Sequence, residues 1–163
     1  MFVIRRLRLT LAHRFPTPPI DATLREERSR VSTWQAAGPH RYAVTGDEIR
    51  WEAHGPVHPP EAHVFAQLLL RVSSQYGRAY CIVDGRDLQP IPSESRRIYV
   101  EYLKQHRPAF ALAIFGATLP IRVAGTLVVH AARLLSLGEL NVYYSQSESE
   151  AAAYLQAQRR SLQ

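Results

Sequence analysis

The sequence predicts one α/β domain: a mixed, mostly parallel sheet of four or five strands with about four helices, in the order ββαβαβαβα. Three observations predict it. From Pro39 onward, short β-forming runs alternate with stretches whose apolar residues recur at i, i+3, i+4 and i+7. Two of the strand candidates, AYCIVD and FALAIFG, are almost wholly apolar, the mark of strands covered on both faces. Helices between successive strands then act as crossovers, which makes those strands parallel.

Each element has its own signals. RYAVTG, the turn at Gly46-Asp47 and EIRWEAHG read as a hairpin, the second strand setting Ile49, Trp51 and Ala53 against Arg50, Glu52 and His54. A helix follows from about Pro60 to Tyr76, started by prolines that suit a first turn, with Phe65, Leu68, Leu69, Val72 and Tyr76 on its buried face. Gly77 closes it, and the strand AYCIVD ends at Asp84. The second helix starts near Ser93, which follows Pro92 and is placed to cap it, and turns Ile98, Tyr99, Tyr102 and Leu103 inward. After FALAIFG, Thr118 caps a third helix whose core face holds Ala124, Leu127, Val128, Ala131, Leu134 and Leu135. LNVYYS is the last strand, and Ser147 with Glu150 forms a capping box for a final helix through Ala151, Tyr154 and Leu155.

Composition narrows the function classes. A chain of 163 residues suits one domain. Its single cysteine, Cys81, allows no internal disulfide, and without a C-x-x-C pair structural zinc is not expected. The most apolar stretch, Phe110 to Leu137, is broken by Pro120, Arg122, His130 and Arg133, so no membrane span is expected. Nor do the first residues form the continuous apolar core of a secretory signal, and a cytoplasmic location is expected. The net charge of +6 is uneven: residues 1–35 carry +4 and residues 36–163 only +2. A near-neutral main domain lacks a basic face for phosphates, so nucleic acid is not an expected partner. Residues 1–35 read as a basic, irregular extension, and residues 36–163 as the domain. That extension is open to three readings: an arm on anionic lipid, a partner-binding segment, or codons upstream of the true start.

The element order, together with the segments GDEIRWEAHGPV, AYCIVDGRDL, IPSESRRIYVEYL and AIFGATLPIRVAGTLVVHAARLL, resembles the STAS domains, the sulfate-transporter and anti-sigma-factor-antagonist family, and looks closest to the stand-alone bacterial SpoIIAA-like branch. The likeness spans roughly residues 39 to 157. It implies a four- or five-stranded sheet with helices, no catalysis and no cofactor. It also implies a protein partner such as an anti-sigma factor or kinase-like regulator, switched by phosphorylation of a serine at the start of the second helix. Ser93 or Ser95 falls at that place, within Pro-Ser-Glu-Ser-Arg where the family usually has Asp-Ser-Ser/Thr-Gly. Asp84 matches an acid the family often has. The same broad fold is similar to the CRAL-TRIO lipid-exchange domains, which implies a second role: a carrier or sensor for a small apolar or anionic, lipid-like ligand near the third helix.

In a parallel sheet, ligands gather beyond the carboxyl ends of the strands. That edge is expected to collect His54, Asp84, Arg86, Asp87, Ser93, Ser95, Gly116 and Thr118, with Arg122 one turn into the third helix. The N–H groups of Gly116, Ala117 and Thr118 could receive an anion, or serve only as a structural cap. A phosphate on Ser93 or Ser95 would sit at a positive helix end beside Arg96 and Arg97; otherwise Ser93 is a plain N-cap and Ser95 a solvated first-turn residue. His54, His58 and His63, with Glu61, lack the helical pair spacing of metal ligands, and no metal is expected. Cys81 reads as core packing, and no catalytic set is expected; Asp87 reads as a cap or solvated loop residue beside Asp84. The third helix also carries Leu119, Ile121, Val123, Val129 and Leu137, apolar on more than one side. It therefore wants a second cover: a homodimer mate, a lipid-like ligand, the amino-terminal segment, or further packing within the domain.

Overall fold

The computed structural model describes residues 33–134 and 140–161. They form a six-stranded mixed sheet with four helices: β1 (Gln35–Ala37), β2 (His40–Thr45), β3 (Glu48–Gly55), α1 (Pro59–Tyr76), β4 (Ala79–Leu88), α2 (Ser93–His106), β5 (Phe110–Phe115), α3 (Leu119–Leu134), β6 (Leu140–Ser145) and α4 (Glu148–Arg160). Strand order in space is strand order in sequence. β1–β2 and β2–β3 pair antiparallel, and β3 through β6 pair parallel. The α/β class and the four helices match expectation. The four or five strands do not: β1 precedes the expected hairpin, pairing Gln35 with Tyr42 and Ala37 with His40. Three residues around a Gly38 turn carry too little periodicity to announce a strand.

Strands that advance one way across a sheet through right-handed crossovers place their helices on one face. α1, α2 and α3 accordingly pack Leu68, Leu69, Val72, Ile98 and Ile121 on the face formed by Ile49, Trp51, Cys81, Val83, Phe110 and Ile114. The opposite face, Tyr80, Ile82, Ala111, Ala113 and Phe115, is covered by Ala151 and Leu155 of α4. Small alanines on β5 let that helix sit close. Polar pins hold α4 to the hairpin, with Arg159 Nη2 donating to Asp47 Oδ1 at 2.7 Å and Arg50 Nη1 donating to Glu148 Oε1 at 2.6 Å.

Helix ends follow local chemistry. Gly77 closes α1 at φ 79°, as its sequence position predicts. Ser147 accepts from the Glu150 N–H while Glu150 accepts from the Gln146 N–H, the reciprocal cap expected for α4. α2 differs. Its N-cap is Pro92, with no side-chain cap, and Ser93 is the first helical residue. It ends on Arg107 in the left-handed conformation at φ 45°, its N–H donating to the Leu103 carbonyl, and Pro108 follows. Of the face expected on α1, Leu68, Leu69 and Val72 are buried, but Tyr76 in the last turn is exposed. On α3 the expected Leu127, Val128, Ala131 and Leu134 have only their backbone described, and Leu135 and Leu137 lie outside the described residues. Residues 1–32 of the expected extension also lie outside them. No helix among the described residues is long and apolar enough to cross a membrane.

Candidate functional site

The main concavity lies between the sheet and the α2–α3 pair, over the middle of β5. It is a half-enclosed pocket of about 370 Å³. Its floor is Val83, Phe110, Leu112, Ile114, Val142 and Tyr144 of the parallel strands; α2 contributes Tyr99, Val100, Tyr102 and Leu103, and α3 Ile121, Ala124, Gly125 and Val129. Trp51, packed edge-on against Phe65 at 4.8 Å, closes one side. The pocket explains an irregularity in burial. Leu112 stands on an interior strand, yet it is only half-buried, and it lines this space. Ala124 of α3 is exposed into the same space.

Small residues make the room. Gly125 is interior to α3, where glycine costs roughly 0.5–1 kcal/mol relative to alanine. A side chain there would run into the Tyr144 hydroxyl, so glycine is what lets β6 and α3 close over one end of the pocket. The size falls within the range of small-molecule pockets, roughly 300–1,000 Å³. Among the described residues the lining contains no carboxylate, and its basic side chains are Arg96 and His106. The hydroxyls of Tyr99, Tyr102 and Tyr144 make no hydrogen bond to another described residue. Burial pushes the phenols of Tyr99 and Tyr144 up, with Arg122 opposing the shift at Tyr144.

The expected site residues lie along the carboxyl edge but do not form one site. β4 does not end at Asp84; it runs on to Leu88 through a bulge, so that Asp84 faces Glu52 while Asp87 faces His54. Gly85 permits the bulge, since a side chain there would strike Ile114 and the Phe115 carbonyl. Asp84 accepts from the Arg86 backbone N–H at 3.1 Å and from its guanidinium at 2.5 Å, which holds its carboxyl below the usual range. Arg86 lies over the Phe115 ring and against Gly116. Asp87 is exposed and reaches His54 Nδ1 at 3.3 Å. This is a solvated charge network, set on the sheet face away from the pocket.

The anion seat imagined at Gly116, Ala117 and Thr118 loses its first donor, because the Gly116 N–H donates to the Ser145 carbonyl at 3.2 Å. Thr118 is exposed, and its carbonyl accepts from the Arg122 N–H, consistent with a capping position. Ser93 is exposed. Ser95 is not the solvated residue expected: it is fully buried and its hydroxyl has no partner. Cys81 is fully buried and its thiol is pushed up by desolvation, in keeping with core packing. His58 is the α1 N-cap, His63 packs against Tyr102, and Glu61 lies under Gly38 beside His40. Leu119 and Val123 of α3 are exposed on the side away from Ile121.

Arg96, Leu112 and the tyrosines of the pocket were not expected as site residues. The breadth of apolar surface on the third helix was the one sequence signal that pointed to them. No family model matches the chain, and a search of curated proteins finds no match.

Proposed function

We propose that the domain is a binding module, a carrier or sensor, for a small apolar ligand held between the sheet and α2–α3. One observation carries the reading: a pocket of about 370 Å³ with an almost wholly apolar lining, occupying what would otherwise be the middle of the core. Water is a poor occupant of the apolar middle over Leu112, since it needs two to four polar partners and the polar groups of the lining are few. An apolar molecule loses its hydration and restores dispersion contacts to the lining at once. Native mass spectrometry of freshly purified protein, and of protein incubated with a lipid extract, tests this. A stoichiometric adduct is the expected result; a spectrum free of adduct in both samples overturns the reading.

A second reading keeps the regulatory role that the STAS resemblance implies, with a protein docking at the carboxyl edge. Ser93 favours it: this serine is exposed, opens α2 where no side chain caps the helix, and stands in the same first turn as Arg96 and Arg97. A phosphate there meets a helix amino terminus and two cations. Ser95, fully buried, does not support the switch. Phosphorylation of Ser93 and a partner bound by Ser93→Ala but not by Ser93→Asp are expected on this reading; equal binding by both variants counts against it.

A further inference from the structure

The proposed pocket is apolar along its length but not electrically neutral. α2 follows the carboxyl end of β4, so Arg96 in its first turn stands at the carboxyl edge and His106 in its last turn at the other end. Ten residues at about 1.5 Å each separate the two by roughly 15 Å. Among the described residues no carboxylate pairs with Arg96, whereas Arg97 has Glu101, Arg50 has Glu148 and Arg86 has Asp84. A cation in the first turn also runs against the helix dipole, which Glu94 in the same turn favours. Tyr144, the penultimate residue of β6, brings to the same edge a hydroxyl without a hydrogen bond to another described residue. Arg122 is close enough to act on that hydroxyl.

Resting on the apolar-ligand reading above, we propose that the pocket takes a medium-chain carboxylate, its head held by Arg96 with Tyr144 as a second donor, its tail lying over Leu112 toward Phe110. The guanidinium fork fits the two oxygens of a carboxylate, and the positive end of α2 reinforces it. With no acid among the described lining residues, an amine head finds no partner there and a neutral alcohol gains little. Volume sets the length: an apolar cavity of about 150 Å³ accommodates benzene, so this one accommodates a ligand of about fifteen heavy atoms.

Calorimetric titration of the full chain with decanoate, 1-decanol and decylamine tests the assignment. Decanoate is expected to bind at least tenfold more tightly than 1-decanol, with decylamine weakest. Arg96→Gln removes the decanoate advantage over 1-decanol, Arg96→Lys retains part of it, and Lys104→Gln, on the same helix but outside the lining, retains all of it. Matched thermal melts establish that the variants are folded; Arg96 is exposed, so they are expected to be. Equal affinity for decanoate and 1-decanol, or an advantage that survives Arg96→Gln, overturns the head-group assignment and leaves the apolar pocket standing. Failure of all three ligands together with a neutral apolar fluorophore overturns both.

Discussion

Filling the pocket from its α3 wall should make the protein more stable, and Ala124→Leu is the direct way to do it. Ala124 is exposed and lines the pocket. The substitution adds three carbons, worth about 2.4 kcal/mol at roughly 0.8 kcal/mol per buried methylene. Ordering the leucine side chain costs about 0.5–1 kcal/mol and the loss of alanine's helix propensity a few tenths. The net expectation is a gain of about 1.5 kcal/mol in urea unfolding with an unchanged m-value. In a domain of this size that corresponds to a melting temperature higher by about 3–6 °C. The sign decides the matter. In a filled core the same change overpacks and costs about 1–3 kcal/mol. A loss of stability in Ala124→Leu would therefore refute the pocket itself.

Three further outcomes follow from the structure. His40 is 1% exposed, and its Nδ1 accepts the His54 N–H at 2.9 Å, so the neutral ring fits and burial holds its pKa below the usual value, with Glu61 and the Pro56 carbonyl opposing and His54 and His58 assisting. The unfolded chain then takes up the proton first: stability is intact above about pH 6.5 and declines as pH falls below it. His40→Gln should flatten that part of the decline, measured by urea unfolding at pH 7.5 and pH 5; an unchanged slope contradicts the assignment. Arg107→Gly should raise stability by about 1 kcal/mol, since glycine adopts the left-handed φ of 45° without the roughly 1–2 kcal/mol that a Cβ costs there; a drop in melting temperature would exclude strain at this cap. Ser95→Ala should be neutral or mildly stabilising, because its buried hydroxyl has no partner to lose, whereas Ser95→Asp should cost about 3 kcal/mol or more by burying an unpaired charge. A well-folded Ser95→Asp protein would reopen that position as a switch.

The parallel half of the fold was legible because each of its elements carries its own mark. AYCIVD and FALAIFG are apolar on both sides, and both of their faces are covered. Gly77 and Ser147 cap where their chemistry allows. What escaped depends on neighbours. β1 exists because β2 offers it an edge, and the extension of β4 past Asp84 depends on Gly85 tolerating close contact with β5. Ser93 loses its capping role to the geometry of Pro92, and Ser95 turns inward with Ile98. The pocket is the clearest case. Leu112, Ala124 and Tyr144 follow the same periodicity as residues of a filled core, and a void leaves no trace in spacing. Only the excess of apolar surface on α3 hinted that something more than the sheet is to be covered.

The most direct test of the central claim uses the protein's own tryptophans. Trp51 is 4% exposed and lines the pocket, while Trp34, the other tryptophan, is 41% exposed and is replaced by phenylalanine to leave one reporter. Energy transfer from Trp51 to the neutral fluorophore N-phenyl-1-naphthylamine is then titrated in this background with and without Ala124→Leu. Saturable transfer at one probe per chain, weakened at least fivefold by Ala124→Leu, is the predicted result. Transfer that never saturates, or the same curve in both proteins, would contradict it.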